Sequence, residues 1–148
     1  MPFTLEQVLK SKTSSVIHSV ASSETVQNAA IKMADNGIGA LLVIDNQQVV
    51  GIFTERDIVN KLFKACLNPC ETKVSDLMTR ELIFGKLSTT LAEAMATFTQ
   101  YHFRHLPIIE GNRLHGMVSI GDITKWVLTN QEKELTYLTE YIRGETYY

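Results

Sequence analysis

The sequence has no apolar run that approaches the ~20 residues needed for a membrane-spanning helix. Its first residues carry no basic segment followed by an apolar stretch, so no secretory signal is predicted. Its two cysteines, Cys66 and Cys70, are too few for a disulfide framework, and their three-residue spacer matches neither the redox nor the zinc-binding spacing. These absences predict a cytoplasmic protein with reduced thiols and no membrane partner.

An excess of charge of either sign is also absent. Among the 148 residues, 14 Lys and Arg stand against 16 Asp and Glu, and 45% of the residues are hydrophobic. A folded globular protein is expected, without the broad basic field of a nucleic-acid-binding protein. The four histidines lack a metal-ligand spacing, and neither a Ser/His/Asp or Cys/His arrangement nor a phosphate-binding glycine loop is present. The sequence therefore predicts no catalytic residue, no metal site and no nucleic-acid partner.

An internal repeat organises the chain. The sequence aligns with itself, without gaps, at an offset of 65 residues. This alignment predicts one copy at residues 13–68, a linker at 69–77 and a second copy at 78–130, flanked by an N-terminal segment, 1–12, and a C-terminal segment, 131–148. The identical pairs are Ser23/Ser88, Thr25/Thr90, Ala29/Ala94, Leu41/Leu106, Gly51/Gly116, Asp57/Asp122 and Ile58/Ile123.

Each copy is predicted to fold in the order β-α-β-β-α. This order gives an α+β fold of two repeats with pseudo-two-fold symmetry, packed sheet to sheet with the helices outside. Apolar residues spaced i, i+3, i+4 and i+7 predict the first helix of each copy, and β-branched runs predict the strands. The predicted elements are opening strands Val16–Ile17 and Leu82–Phe84, hairpin strands Ala40–Ile44 with Val49–Phe53 and His105–Ile109 with Leu114–Val118, closing helices Glu55–Leu67 and Ile120–Thr129, and a final helix at about Gln131 to Arg143.

The passage from the last strand into the closing helix carries the candidate chemistry. In both copies a hydroxyl residue is followed, three residues later, by an aspartate: Thr54 and Asp57, then Ser119 and Asp122. A carboxylate at a helix start can accept hydrogen bonds from a ribose diol, while the helix N–H groups favour a nearby phosphate. The same residues equally suit an N-cap with an acid in the first turn. Both interpretations stay open on the pattern alone.

Longer stretches around these pairs resemble the tandem cystathionine-β-synthase (CBS) domain pair, also called a Bateman module. The first copy carries Gly37–Val43 (GIGALLV) and Gly51–Ile58 (GIFTERDI), and the second carries Phe103–Ile109 (FRHLPII) and Gly116–Ile123 (GMVSIGDI). The sequence departs from the family pattern at Phe84-Gly85-Lys86, where a Thr-Val pair is common.

The resemblance implies that adenosine-containing ligands bind in two clefts between the copies. Thr54 and Asp57 match the family's ribose-binding pair of one cleft, and Ser119 and Asp122 match that of the other. The adenine pocket of each cleft would come largely from the opposite copy. Residues expected near the Asp57 ribose are Leu82, Ile83 and Phe103, those expected near the Asp122 ribose are Ile17, His18, Ile38, Gly39 and Ala40, and Arg56, Arg104 and His105 match positions that often approach phosphates.

The hypothesis is a stand-alone, non-catalytic regulatory module that binds AMP, ATP or NAD(H), senses energy or redox state and acts on a partner protein. The family commonly forms homodimers through its helices, and the apolar contacts expected here are Ile58, Leu62, Phe63, Ile123, Trp126 and Val127. An S-adenosylmethionine sensor and a structural dimerisation protein with empty clefts stay open as alternatives. An enzyme acting on a nucleotide is disfavoured, because the aspartates suit ribose rather than a metal cluster.

Overall fold

The computed structural model describes residues 2–12, 16–130, 139, 140 and 142. The chain divides into two compact units. The first unit spans Val16–Leu82, and the second unit combines Met1–Ser15 with Ile83–Tyr148. The predicted C-terminal helix, about Gln131 to Arg143, lies mostly outside the described residues. Helices and strands are mixed, and the strands form two separate sheets, which confirms the predicted α+β class.

The first unit holds a three-stranded sheet, whose strands in spatial order are β1 (Ser19–Val20), β2 (Ala40–Asp45) and β3 (Gln48–Thr54). Strand β1 is parallel to β2, and β2 and β3 form an antiparallel hairpin. Both residues of the hairpin turn, Asn46 and Gln47, have positive φ (50° and 66°), as a two-residue hairpin turn requires. In chain order the elements of this unit are β1 (Ser19–Val20), α2 (Val26–Asn36), β2 (Ala40–Asp45), β3 (Gln48–Thr54), α3 (Glu55–Asp57) with a π-helical continuation (Ile58–Phe63), and α4 (Val74–Leu77).

The second unit repeats the hairpin and its two helices. Its turn residues Gly111 and Asn112 again have positive φ (63° and 58°). Its elements are α1 (Leu5–Ser11), α5 (Leu91–Tyr101), β4 (His105–Glu110), β5 (Arg113–Ser119) and α6 (Ile120–Thr129), so the closing helix has the predicted bounds. Strands β3 and β5 extend one residue beyond both predicted ends. Strands β2 and β4 begin where predicted and end one residue later.

The opening strands differ from the prediction. In the first unit the strand is Ser19–Val20 rather than Val16–Ile17. In the second unit, in place of the predicted strand at Leu82–Phe84, a single parallel bridge joins Gly85 to Ile108. Gly85 lies so close to its neighbours that a Cβ there would be 2.9 Å from Leu5 Cδ1. Gly85, at the position where the sequence departs from the family pattern, therefore leaves room for Leu5 on α1.

The closing helix of the first unit is shorter than the predicted Glu55–Leu67. One α-helical turn is followed by the π-helical segment Ile58–Phe63, and Leu67 N–H donates to the Leu62 carbonyl at 3.0 Å. Cys66 then has a φ of 55°, outside the helical region. Further along, Pro69 disfavours the α conformation at Asn68, because proline restricts the preceding residue.

The segment predicted as a linker, 69–77, packs within the first unit. Val74 and Leu77 are buried in its core, and Val74 N–H donates to the Glu24 carbonyl at 2.8 Å. Val26 N–H donates to the Thr72 carbonyl at 2.9 Å, which ties the segment to the start of α2. The first unit consequently extends to Leu82.

The N-terminal segment belongs to the core of the second unit. Leu5 and Val8 on α1 are completely buried among residues of α5, β4, β5 and α6. The Phe3 ring packs edge-on against Trp126, with ring centroids 4.6 Å apart. Residues 2–12 therefore complete the hydrophobic core around the second repeat.

Most of the apolar contacts predicted for a homodimer instead fill the core of their own unit. Leu62 is buried in the first unit, and Ile123, Trp126 and Val127 are buried in the second. Ile58 is half-buried against the first core, and Phe63 is exposed. The prediction was wrong for the buried residues, because a helix that covers a sheet turns its apolar face inward.

Candidate functional site

In the first unit, the end of β3 and the start of α3 hold Thr54 and Asp57 together. The Thr54 N–H donates to Asp57 Oδ2 at 2.9 Å, and the Asp57 N–H donates to the Thr54 hydroxyl at 3.3 Å. This reciprocal pair of bonds is a capping box, which satisfies N–H groups that a helix start leaves without partners. It also fixes the carboxylate at the positive end of the helix.

The Asp57 carboxylate has further partners within the first unit. Lys61 Nζ lies 2.9 Å from Oδ1, and the Thr79 hydroxyl donates to the same oxygen at 3.4 Å. Lys61 also donates to the Leu77 carbonyl at 2.8 Å. Both carboxylate oxygens of Asp57 are therefore bonded within the unit, and the side chain is only 7% exposed.

The second unit repeats the capping box at the start of α6. The Ser119 N–H donates to Asp122 Oδ2 at 2.9 Å, and the Asp122 N–H donates to the Ser119 hydroxyl at 3.0 Å. Lys12 Nζ, from the end of α1, lies 3.0 Å from the same Oδ2. The Asp122 side chain is 27% exposed, so this carboxylate is more accessible to solvent than Asp57.

In each unit, the start of the hairpin lies beside that unit's own capping box. The Gly39 carbonyl accepts from Glu55 N–H at 3.0 Å, and Ala40 is paired with Thr54. The Glu55 carboxylate lies over Gly39, where a Cβ would be 2.1 Å from Oε1. In the second unit the Arg104 carbonyl accepts from Ile120 N–H at 3.0 Å, and His105 is paired with Ser119. The structure thus brings Gly39, Ala40, Arg104 and His105 next to the helix start of their own repeat.

The other predicted site residues are divided between the units. In the first unit, Ile17, His18, Ile38 and Leu82 are half-buried, and Arg56 is exposed on α3. In the second unit, Ile83 and Phe103 pack against the core, and Phe103 meets Phe98 edge-on at 5.8 Å. The expected contribution of each repeat to the other's adenine pocket stays a prediction.

Sequence reasoning missed Lys12, Lys61 and Thr79 as neighbours of the two aspartates. Lys61 follows Asp57 by four residues, a spacing that places acid and base on one helix face, so this pair carried a readable signal. Lys12 and Asp122 are separated by 110 residues. Only the packing of α1 in the second unit brings them together.

Comparison with known protein families identifies the repeat. The CBS domain matches two stretches of this sequence, residues 8–64 and 74–129. The chain belongs to the CBS domain family. The two tandem matches confirm the resemblance drawn from the motifs, because they cover both copies of the repeat.

Individual CBS-domain proteins match over most of this chain. The Arabidopsis thaliana "CBS domain-containing protein CBSX3, mitochondrial" is 36% identical over an alignment of 149 positions. The alignment covers 95% of this chain and 72% of that protein. A solved structure of a candidate signal-transduction protein with CBS domains from Burkholderia ambifaria MC40-6 is 37% identical, with a TM-score of 0.84, and the match covers 88% of this chain and 97% of that one. The CBS domain pair of protein MJ0100, solved with 5′-methylthioadenosine and S-adenosyl-L-methionine, has the same fold at 20% identity, with a TM-score of 0.72 over 85% of this chain and 96% of that one.

Two further features of the described residues, 2–12, 16–130, 139, 140 and 142, concern membranes and metals. No helix in this part of the chain is long and apolar enough to span a bilayer. Within the same residues, no cluster of three or more His, Cys, Asp and Glu side chains is placed to hold a metal ion.

Proposed function

We propose that this CBS-domain protein is a regulatory module that binds adenosine-containing nucleotides, namely AMP, ATP or NAD(H), through their ribose. The observation that carries the proposal is the repeated capping box, which fixes an aspartate carboxylate at the start of the closing helix in both units. A carboxylate held in this way accepts hydrogen bonds from the 2′ and 3′ hydroxyls of a ribose. The helix N-terminus beside it favours the attached phosphate.

The capping role and the ribose role use the same geometry. In each unit the cap engages Oδ2 of the aspartate through a backbone N–H. Each carboxylate oxygen has two lone pairs, so a capped carboxylate retains the capacity to accept further hydrogen bonds. Asp122 is the more accessible of the two and is proposed as the first site to fill.

S-adenosylmethionine is the second candidate ligand, because the MJ0100 domain pair of the same fold was solved with it. It carries the same ribose but a positively charged sulfonium. The ammonium of Lys12, 3.0 Å from Asp122, can donate to a phosphate oxygen, whereas a sulfonium offers it no acceptor. The nucleotides therefore remain the leading proposal.

A ligand regulates a protein only by binding one of its states better than another. We infer a partner protein in the cytoplasm as the target of that regulation, and a homodimer as the assembly. The exposed apolar residues Val59 and Phe63 in the first unit and Leu128 in the second support an apolar contact with another chain. Phe63 and Leu128 occupy the same position of the repeat.

Titration with AMP and 2′-deoxy-AMP tests the proposal. Loss of the 2′ hydroxyl removes a hydrogen bond to a charged group, so we expect the affinity to fall at least ~10-fold. Asp122→Asn is expected to weaken AMP binding, whereas Asp76→Asn is not. Asp76 is a matched control, since its carboxylate also accepts from a backbone N–H three residues earlier, at the start of α4. Equal affinities for the ribose and deoxyribose forms would contradict the ribose role.

A further inference from the structure

The second unit places a lysine ammonium directly beside the proposed ribose-binding carboxylate. Lys12 Nζ donates to Asp122 Oδ2 at 3.0 Å and to the Met117 carbonyl at 2.8 Å. An ammonium has three N–H donors. The third donor, or the one now directed to Asp122, can therefore serve a group that arrives with a ligand.

The fold holds Lys12 at this position through α1. Leu5 and Val8 anchor the helix in the core, and Leu9 packs on the backbone of Gly116, where a Cβ would lie 2.9 Å from Leu9 Cδ2. Gly116 also has a φ of 156°, which disfavours other residues. At the end of the helix, the Lys12 N–H donates to the Leu9 carbonyl at 3.2 Å. The side chain thus extends from a fixed helix end toward Asp122.

We propose that Lys12 is a ligand-binding residue that gives the Asp122 site its preference for anionic adenosine ligands. The inference rests on the proposed function and specifies its ligand class. A ribose diol bonds to the Asp122 carboxylate, and the Lys12 ammonium turns from Oδ2 to the 5′-phosphate while it keeps the Met117 carbonyl as a partner.

Charge balance supports this exchange. A nucleotide brings a phosphate close to Asp122, and two anions at short range repel each other unless a cation lies between them. Lys12 supplies that cation from a position already in contact with the carboxylate. Copy two has Gly121 where copy one has Arg56, so its first helical turn brings no arginine of its own.

The lysine at the Asp57 site, Lys61, is placed differently from Lys12 at the Asp122 site. Lys61 lies on the same helical segment, four residues after Asp57, and bridges to the Leu77 carbonyl. It is therefore one turn along the segment from the helix start, whereas Lys12 approaches from a separate helix. The role of Lys12 is therefore confined to the Asp122 site.

Calorimetric titration of the full chain with AMP and with adenosine tests the role of Lys12. We expect Lys12→Ala to weaken AMP binding about 10-fold, as for a lost hydrogen bond to a charged group, and to leave adenosine binding within about two-fold. Lys12→Arg should retain most of the AMP affinity, because the positive charge is kept. Lys10→Ala is the matched control, since Lys10 lies on the same helix, 75% exposed, and pairs only weakly with Glu6 at 3.7 Å.

An equal loss of AMP and adenosine affinity in Lys12→Ala would overturn the proposal and leave Lys12 with a structural role, as would unchanged AMP affinity. A wild-type chain that binds neither compound would refute the proposed function itself, and the Lys12 proposal with it. If Lys12→Ala does not fold, the proposal is tested instead by the salt dependence of ligand binding to the wild-type protein. AMP affinity should fall with added salt more steeply than adenosine affinity, and equal slopes would refute the proposal.

Discussion

Replacing Leu5 by alanine is expected to lower the free energy of unfolding of the second unit by about 3 kcal/mol. Leu5 is completely buried and packs in the core with Leu91 and Leu106. Its N–H donates to the Thr89 carbonyl at 2.8 Å, so the backbone at this point is held and collapse into the cavity is restricted. The substitution leaves a cavity where the N-terminal helix joins the repeat.

Urea denaturation followed by tryptophan fluorescence measures this loss. Trp126 is the protein's single tryptophan and lies in the core of the second unit against Phe3, so its emission reports that unit specifically. Lys10→Ala, on the exposed face of α1, serves as the control and should change the stability by less than about 0.5 kcal/mol. A similarly small effect of Leu5→Ala would show that α1 does not belong to this core.

Asp57→Ala is expected to destabilise its unit by about 2 kcal/mol, and Asp122→Ala by about 1 kcal/mol. Each substitution removes the carboxylate half of a capping box, while the hydroxyl of Thr54 or Ser119 still accepts from the helix. Asp57 is more deeply buried and also accepts from Lys61 and the Thr79 hydroxyl, so its loss leaves more polar groups without partners. Asp122 and its partner Lys12 are both partly exposed, and solvent replaces part of that interaction.

Urea denaturation followed by far-ultraviolet circular dichroism compares the two variants. Thr25→Ala provides a cap control, because the Thr25 hydroxyl accepts from Asn28 N–H at 3.1 Å at an exposed helix start. We expect its cost to be about 1 kcal/mol, close to that of Asp122→Ala. If Asp57→Ala is no more destabilising than Thr25→Ala, the contacts of Asp57 with Lys61 and Thr79 add nothing to the stability beyond the cap.

The parts of the fold that sequence analysis predicted are those that local patterns determine. The hairpins were predicted because β-branched runs flank residues that suit tight turns, and α6 because its bounds coincide with a capping pair and the end of an apolar period. Gly51 and Gly116 are an identical pair of the internal repeat, and both lie where a side chain would clash with a neighbour. A Cβ at Gly51 would lie 2.8 Å from the Thr79 carbonyl oxygen, and one at Gly116 would contact Leu9.

The parts that sequence analysis missed depend on contacts between distant residues. The position of α1 on the second repeat follows from the burial of Leu5 and Val8 among residues more than 80 positions away. The same packing brings Lys12 to Asp122 and places Leu5 against Gly85, where a Cβ would lie 2.9 Å from Leu5 Cδ1. No local period or spacing encodes these contacts.

The aspartate motif shows what a local pattern leaves open. The sequence was compatible with both a helix cap and a ribose site, and the structure contains the cap in both units. The ribose role requires, in addition, an accessible carboxylate and a cation for the phosphate. Asp122 and Lys12 provide both in the second unit, and this pair is the basis of the proposed ligand specificity.

A crystal structure of the protein grown with saturating AMP tests the central proposal most directly. The measurement is the position of the ribose and phosphate relative to Asp122 and Lys12. We expect the ribose 2′ and 3′ oxygens to lie about 2.5–3.0 Å from the Asp122 carboxylate, and a phosphate oxygen about 2.7–3.2 Å from Lys12 Nζ. AMP bound elsewhere, or no AMP bound while the Lys12–Asp122 pair stays intact, would contradict the account.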